Sequence, residues 1–172
     1  MAASDPDDPE RPLRGSIEYL SGPALRERLE EEVNRAGRHG TALSCLLVDI
    51  EDLREVQRAH GEQLAEQVLA YVELALRREL RRFDRVGRPE EGELLIVLPG
   101  ADGPRGEIVA RRVLGRLRAI KLEAGGERRS LRVTVGLAPW REGMSAHALL
   151  DGARIALHPG RSEIGQLHAA RG

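Results

Sequence analysis

Asp84-Arg-Val-Gly-Arg-Pro-Glu-Glu-Gly-Glu-Leu-Leu-Ile-Val-Leu98 reads as two strands and the turn between them. Leu94 to Leu98 are five consecutive aliphatic residues, the composition of a strand covered on both faces. Pro89-Glu-Glu-Gly92 supplies the turn chemistry, so the stretch predicts a β-hairpin. A similar apolar run, Ala42-Leu-Ser-Cys-Leu-Leu-Val-Asp-Ile50, predicts a central strand, and Ser130 to Ala138 predicts another.

Helical patterns fill the intervals. Ser21 caps a helix with Leu25, Leu29 and Val33 at spacing four, which Gly40 ends. A short polar helix over 53–59 precedes Gly61. A long one follows to about Phe83, with Leu64, Val68, Val72, Leu76 and Leu80 as its apolar stripe. The next helix carries Ile108, Val109, Val113, Leu117 and Ile120. A loop at Gly125-Gly126 leads to the last long strand, and a helix over 145–157 is broken by Pro159-Gly160. The tail from Ser162 has room for a short edge strand. This order predicts an α/β sandwich: a mixed sheet of about five strands flanked by helices. Residues 1–16 are acidic and proline-rich and are expected to be a disordered tail, leaving 17–172 as one domain.

Composition narrows the function. The 172 residues hold 27 basic and 28 acidic side chains for a net charge of −1, which gives no support for binding nucleic acid. Tyr19, Tyr71, Phe83 and Trp140 are too few for a base-stacking platform. No apolar run approaches a membrane span and no signal peptide is read, so a cytoplasmic protein is expected. The single cysteine, Cys45, excludes an internal disulfide and reads as a small core hydrophobe. The five histidines lack metal spacing and read as surface residues. Lys121 is the only lysine, so arginine stands at about one residue in seven and each arginine must be argued from its position.

Over about residues 18–166 the chain resembles the GGDEF domain family, whose members make cyclic di-GMP from two GTP molecules. Leu20-Ser21-Gly22 is similar to the start of the family's LTGLPNR loop. Val48-Asp-Ile-Glu51 resembles its L-D-I-D strand end, Arg88 to Pro99 its signature hairpin, and Val133-Thr-Val-Gly-Leu-Ala138 its late T-x-S-x-G-V-A strand. The resemblance implies a palm-like fold.

It also implies a degenerate active site. Glu90 and Glu91 stand where the family has two glycines, adding bulk and charge where a triphosphate would lie. Gly92 stands at an acidic metal ligand, whereas Asp49 and Glu93 keep the other carboxylates and Leu94 replaces Phe. Gln57 and Glu66, each one methylene longer than the family's residues, fall at the guanine-reading positions. The family's late lysine aligns with Arg161. Asp49 also reads as a carboxylate left at a strand end, solvated or capping the next helix. On these grounds the chain is expected not to be an enzyme and not to use magnesium or another metal cofactor.

A second family site has its pattern intact. Arg81-Arg-Phe-Asp84 matches the R-x-x-D of the inhibitory site, and Arg112 falls at its further arginine. Arginine forks suit guanine O6/N7 and phosphate, and a carboxylate accepts from guanine N1–H and N2–H. Chance arginines and a locally bridging Asp84 are the plain alternative. The expected function is a catalytically inactive receptor for cyclic di-GMP through Arg81, Asp84 and Arg112, with a ligand dimer that can bridge two copies of the domain. The alternative is a ligand-free scaffold that binds a protein partner.

Overall fold

The computed structural model describes residues 19–124, 126–158 and 167–169; the 1–16 tail and Arg161 lie outside them. The Ala42–Ile50 run forms the strand β2 (Leu43–Ile50) at the centre of a six-stranded sheet ordered β1-β3-β4-β2-β7-β8. Its neighbours are β4 (Glu93–Pro99) and β7 (Val133–Pro139), both antiparallel to it. β3 (Arg85–Gly87) completes the expected hairpin with β4. The edges are short and parallel to their neighbours: β1 (Tyr19–Leu20) beside β3, and β8 (Leu167–Ala169) beside β7. Without the two-residue β1 this is the mixed five-stranded sheet that the sequence predicts.

Among the described residues, five helices cover the two faces: α1 (Gly22–His39), α2 (Glu51–His60), α3 (Glu62–Arg77), α4 (Gly103–Arg118) and α5 (Ala146–Leu157). Alternation along β2 divides the core. Leu46, Val48 and Ile50 pack under α2, α3 and α4, and Leu43, Cys45 and Leu47 pack under α1 and α5. Burial of both sets is the main apolar term holding the layers together. Trp140 anchors the loop before α5, its Nε1–H donating to the Met144 carbonyl at 2.9 Å. Among the described residues no helix is long and apolar enough to cross a membrane.

Three local expectations change. α3 ends at Arg77, so Leu80 reaches the core from a turn and Arg81–Asp84 lie outside the helix. Ile108 is 51% exposed, because α4 buries Ala110, Val113, Leu114 and Leu117 instead. The loop before β7 contains a hairpin of its own, β5 (Lys121–Ala124) with β6 (Glu127–Ser130).

Candidate functional site

The short segment between α3 and β3 is a tight turn that holds Arg81 and Asp84. The Asp84 N–H donates to the Arg81 carbonyl at 3.1 Å, and Asp84 Oδ2 accepts the Arg81 backbone N–H at 2.7 Å. Arg85 braces the turn from below, donating to the Arg82 and Asp84 carbonyls at 2.8 and 3.0 Å. Across a gap lies the start of α4, fixed by Asp102, whose side chain accepts the Arg105 N–H. Ser44 ties the loop before α4 to the sheet through the Ala101 carbonyl at 2.9 Å. Gly106 lets α4 come this close: a Cβ there would lie 2.9 Å from Leu137 Cδ1.

Between turn and helix is a cavity of about 310 Å³ lined by Arg81, Asp84, Arg105 and Arg112, with Leu98 and Ile108 as apolar wall. Arg81, Asp84 and Arg112 therefore lie together, as their sequence pattern suggests. Arg105 and the exposed Ile108 are additions that sequence reasoning missed. Among the described residues, the Arg105 and Arg112 side chains make no hydrogen bond or ion pair. Three guanidiniums against one carboxylate make this a concave surface suited to an anion.

The second cluster sits at the end of the sheet. A cavity of about 360 Å³ brings Gln57 and Glu66 together with Glu90, Glu91, Gly92, Glu93 and Leu94. Asp49 lies next to it, paired in register with Glu93 across β2 and β4. Neither carboxylate is free. Arg54 Nη2 lies 2.8 Å from Asp49 Oδ1 and 3.0 Å from Oδ2. Arg154, from α5, donates to Glu93 Oε1 and Oε2 at 3.0 and 3.2 Å. Burial pushes the Glu93 carboxyl above its ordinary range; Arg154 opposes that shift, and Glu90 and Asp49 add to it.

The magnesium ion that the family resemblance implies does not fit this donor set. A magnesium site needs oxygens at about 2.0–2.1 Å in near-octahedral order. Asp49 Oδ1 is buried without an aligned hydrogen bond and is one such oxygen, yet the Arg54 guanidinium stands directly against it. Position 92 offers no side-chain oxygen, and a Cβ there would meet Arg54 Cγ at 2.8 Å.

A third group escaped the sequence altogether. Asp52, fully buried at the start of α2, accepts the Arg132 N–H at 2.6 Å and also binds the side chains of Arg129 and Arg132. Burial alone would raise its carboxyl; these hydrogen bonds outweigh it and hold the group below its ordinary range. Glu51 and Glu55 extend the network through Arg132. It fastens β6 and the link to β7 to α2, beside the cavity that holds Gln57.

A family model described as "Diguanylate cyclase, GGDEF domain" matches residues 23–164. Diguanylate cyclase DgcP of Pseudomonas aeruginosa is 27% identical over 135 residues, covering 78% of this chain and 20% of that protein. Diguanylate cyclase SiaD of the same organism, solved with its activator SiaC, is 28% identical with a TM-score of 0.78, over 88% of this chain and 59% of that one. The GGDEF domain of DgcB from Caulobacter crescentus, solved with c-di-GMP, is similar in fold: TM-score 0.77, 20% identity, 100% of this chain and 97% of that one. The chain thus spans only a fifth of DgcP. These findings overturn the expectation that the chain is not an enzyme: the family model and the named relatives are diguanylate cyclases, which points to an enzyme.

Proposed function

The chain belongs to the GGDEF domain family, and from that premise we propose that it is a regulatory domain that binds cyclic di-GMP between the Arg81–Asp84 turn and α4. The observation that carries this reading is the shared cavity of Arg81, Asp84 and Arg112, in which Arg112 has no partner among the described residues. A guanine offers O6 and N7 as acceptors and N1–H and N2–H as donors, and the cavity supplies both complements. The phosphates meet the remaining guanidinium charge. Because the cavity is small for a dinucleotide and open to solvent, half of the ligand projects outward, where a second copy of the domain can meet it. The solved complex of the DgcB domain with c-di-GMP supports the ligand class by fold.

The test is isothermal titration of the chain with cyclic di-GMP, beside Arg81→Ala and Arg112→Ala. Micromolar binding lost in both variants is the expected result. A flat titration of folded protein overturns the reading and leaves the protein-partner alternative. The second cavity, where Gln57 and Glu66 meet Glu90–Glu93, favours a further reading that follows the relatives' names: GTP as a ligand there, with product formation from GTP measured on the same sample.

A further inference from the structure

The sheet register sets two like charges side by side. Asp49 and Glu93 are direct partners on β2 and β4, and opposite residues of an antiparallel pair have Cβ atoms about 4.5–5.5 Å apart on the same face. Two carboxylates at that spacing repel each other and attract cations. In metal-binding proteins a divalent ion commonly answers such a demand. Here two helices answer it instead: Arg54 comes from α2 to Asp49, and Arg154 comes from α5 to Glu93 and, at 4.0 Å, Glu90.

Space has been made for the first of them. Gly92 has φ +77°, and its missing side chain leaves room for the Arg54 stem, whose Cγ, Nη1 and Cδ would stand 2.8, 3.2 and 3.4 Å from a Cβ at that position. Arg54 Nη1 also donates to the Glu91 carbonyl at 3.4 Å, so the guanidinium spans the hairpin turn and the end of β2. A side chain at 92 and Arg54 in this pose exclude one another. The carboxylate missing at 92 and the guanidinium present at Asp49 are thus two aspects of one arrangement.

We propose that Arg54 is a built-in cation of the Asp49–Glu93 pair, occupying at Asp49 the place of a divalent ion, and that Gly92 is the residue that makes room for it. A guanidinium delivers one charge through fixed donors and cannot be exchanged with solvent. The carboxylate pair is then neutralised at all metal concentrations, and the cluster takes up no divalent ion of its own.

Manganese uptake, read from loss of the free-ion electron paramagnetic resonance signal, tests this without reference to turnover. The wild-type chain should leave the Mn²⁺ signal unchanged. The double variant Arg54→Ala with Gly92→Asp should gain Mn²⁺ affinity by about tenfold or more, and adding Asp49→Asn should remove that gain. Wild-type uptake that is lost on Asp49→Asn would overturn the proposal. So would a double variant that is folded by circular dichroism and gains nothing. Thermal melts give a second arm: Gly92→Asp should lower Tm less in the Arg54→Ala background than in wild type, whereas equal losses would separate the two residues and overturn their linkage.

Discussion

Asp84 closes the turn that presents Arg81: its Oδ2 accepts the Arg81 backbone N–H at 2.7 Å while the Arg81 carbonyl accepts the Asp84 N–H at 3.1 Å. The two residues therefore have separable duties. Asp84 is 7% exposed and shapes the backbone, so Asp84→Ala should cost about 1–2 kcal/mol as the partly buried Arg81 N–H loses its acceptor. Arg81 is exposed, and Arg81→Ala should stay within about 0.5 kcal/mol of wild type. Thermal melts with and without cyclic di-GMP distinguish them. Asp84→Ala should lower Tm without ligand and also shrink the ligand-induced rise, because its carboxylate is the cavity's acceptor for guanine; Arg81→Ala should abolish the rise and leave the ligand-free Tm where it was.

Arg105 stands about two turns before Arg112 along α4, and both line the same cavity. Loss of a charged hydrogen bond to phosphate or guanine is worth about 1.5–3 kcal/mol, so Arg105→Ala should weaken cyclic di-GMP binding by about tenfold to a hundredfold. Arg111→Ala is the control. Its guanidinium is already spent on Glu107 at 2.7 Å and takes no part in the cavity lining, so affinity should not change. Equal titration curves for Arg105→Ala and wild type would remove Arg105 from the site.

The apolar runs 43–50 and 94–98 carried enough information for the central sheet, because continuous burial leaves a continuous pattern. The β5–β6 hairpin left none: Glu127-Arg-Arg-Ser130 is exposed or half-buried and has no apolar alternation. The sequence pattern runs α3 past its end at Arg77, because Leu80 continues the stripe at spacing four while reaching the core from beyond the helix. At the candidate sites, Arg81, Asp84 and Arg112 were legible through a spaced pattern, and Gln57 and Glu66 do face Glu90–Glu93. Arg54, Arg105 and Arg154 were not legible, since in so arginine-rich a chain only geometry separates a partner from a solvated neighbour. Asp52 reads as an ordinary acid in a first helical turn; its partners lie 77 and 80 residues away.

That buried Asp52 makes a pH prediction. Its carboxyl is held down in the folded chain, so the unfolded chain takes up the proton first on acidification. The stabilisation is complete above the unfolded value of about 3.9 and drains away as pH falls through the lower folded value. Glu93 has the opposite sign, since its raised carboxyl favours the fold when protonated. Asp52→Asn should cost about 3 kcal/mol at neutral pH, because it strips the charge from a buried pair, and should flatten the acid limb of the stability curve. Urea unfolding at a series of pH values measures both. An unchanged acid limb in the variant would show that other carboxylates set it.

Cys45 is fully buried in β2, and burial pushes its thiol up to about 12. A thiol without thiolate character or access is inert, so native protein should resist iodoacetamide while urea-unfolded protein reacts fully. Labelling of the folded chain at the unfolded rate would mean that the centre of the sheet opens readily.

Gly136 sets how closely α5 lies on the sheet. It pairs with Leu47 in the middle of β7, and a Cβ there would lie 2.3 Å from the Ala153 carbonyl oxygen and 2.7 Å from the Leu157 nitrogen. Its φ is not positive, so the backbone itself would accept alanine and the obstacle is wholly steric. Both obstructing atoms belong to helix backbone, which cannot rotate aside as a side chain does. Gly136→Ala should therefore cost about 3 kcal/mol as α5 is forced outward, carrying Arg154 away from Glu93. Gly152 on α5 is the matched control: a Cβ there meets only the Ala138 Cβ at 3.4 Å, and glycine inside a helix is worse than alanine by up to about 1 kcal/mol. Gly152→Ala should be neutral or stabilising. Urea unfolding of the two variants compares them directly, and a mild loss in Gly136→Ala would mean that α5 can ride higher on the sheet without disturbing the Glu93 end.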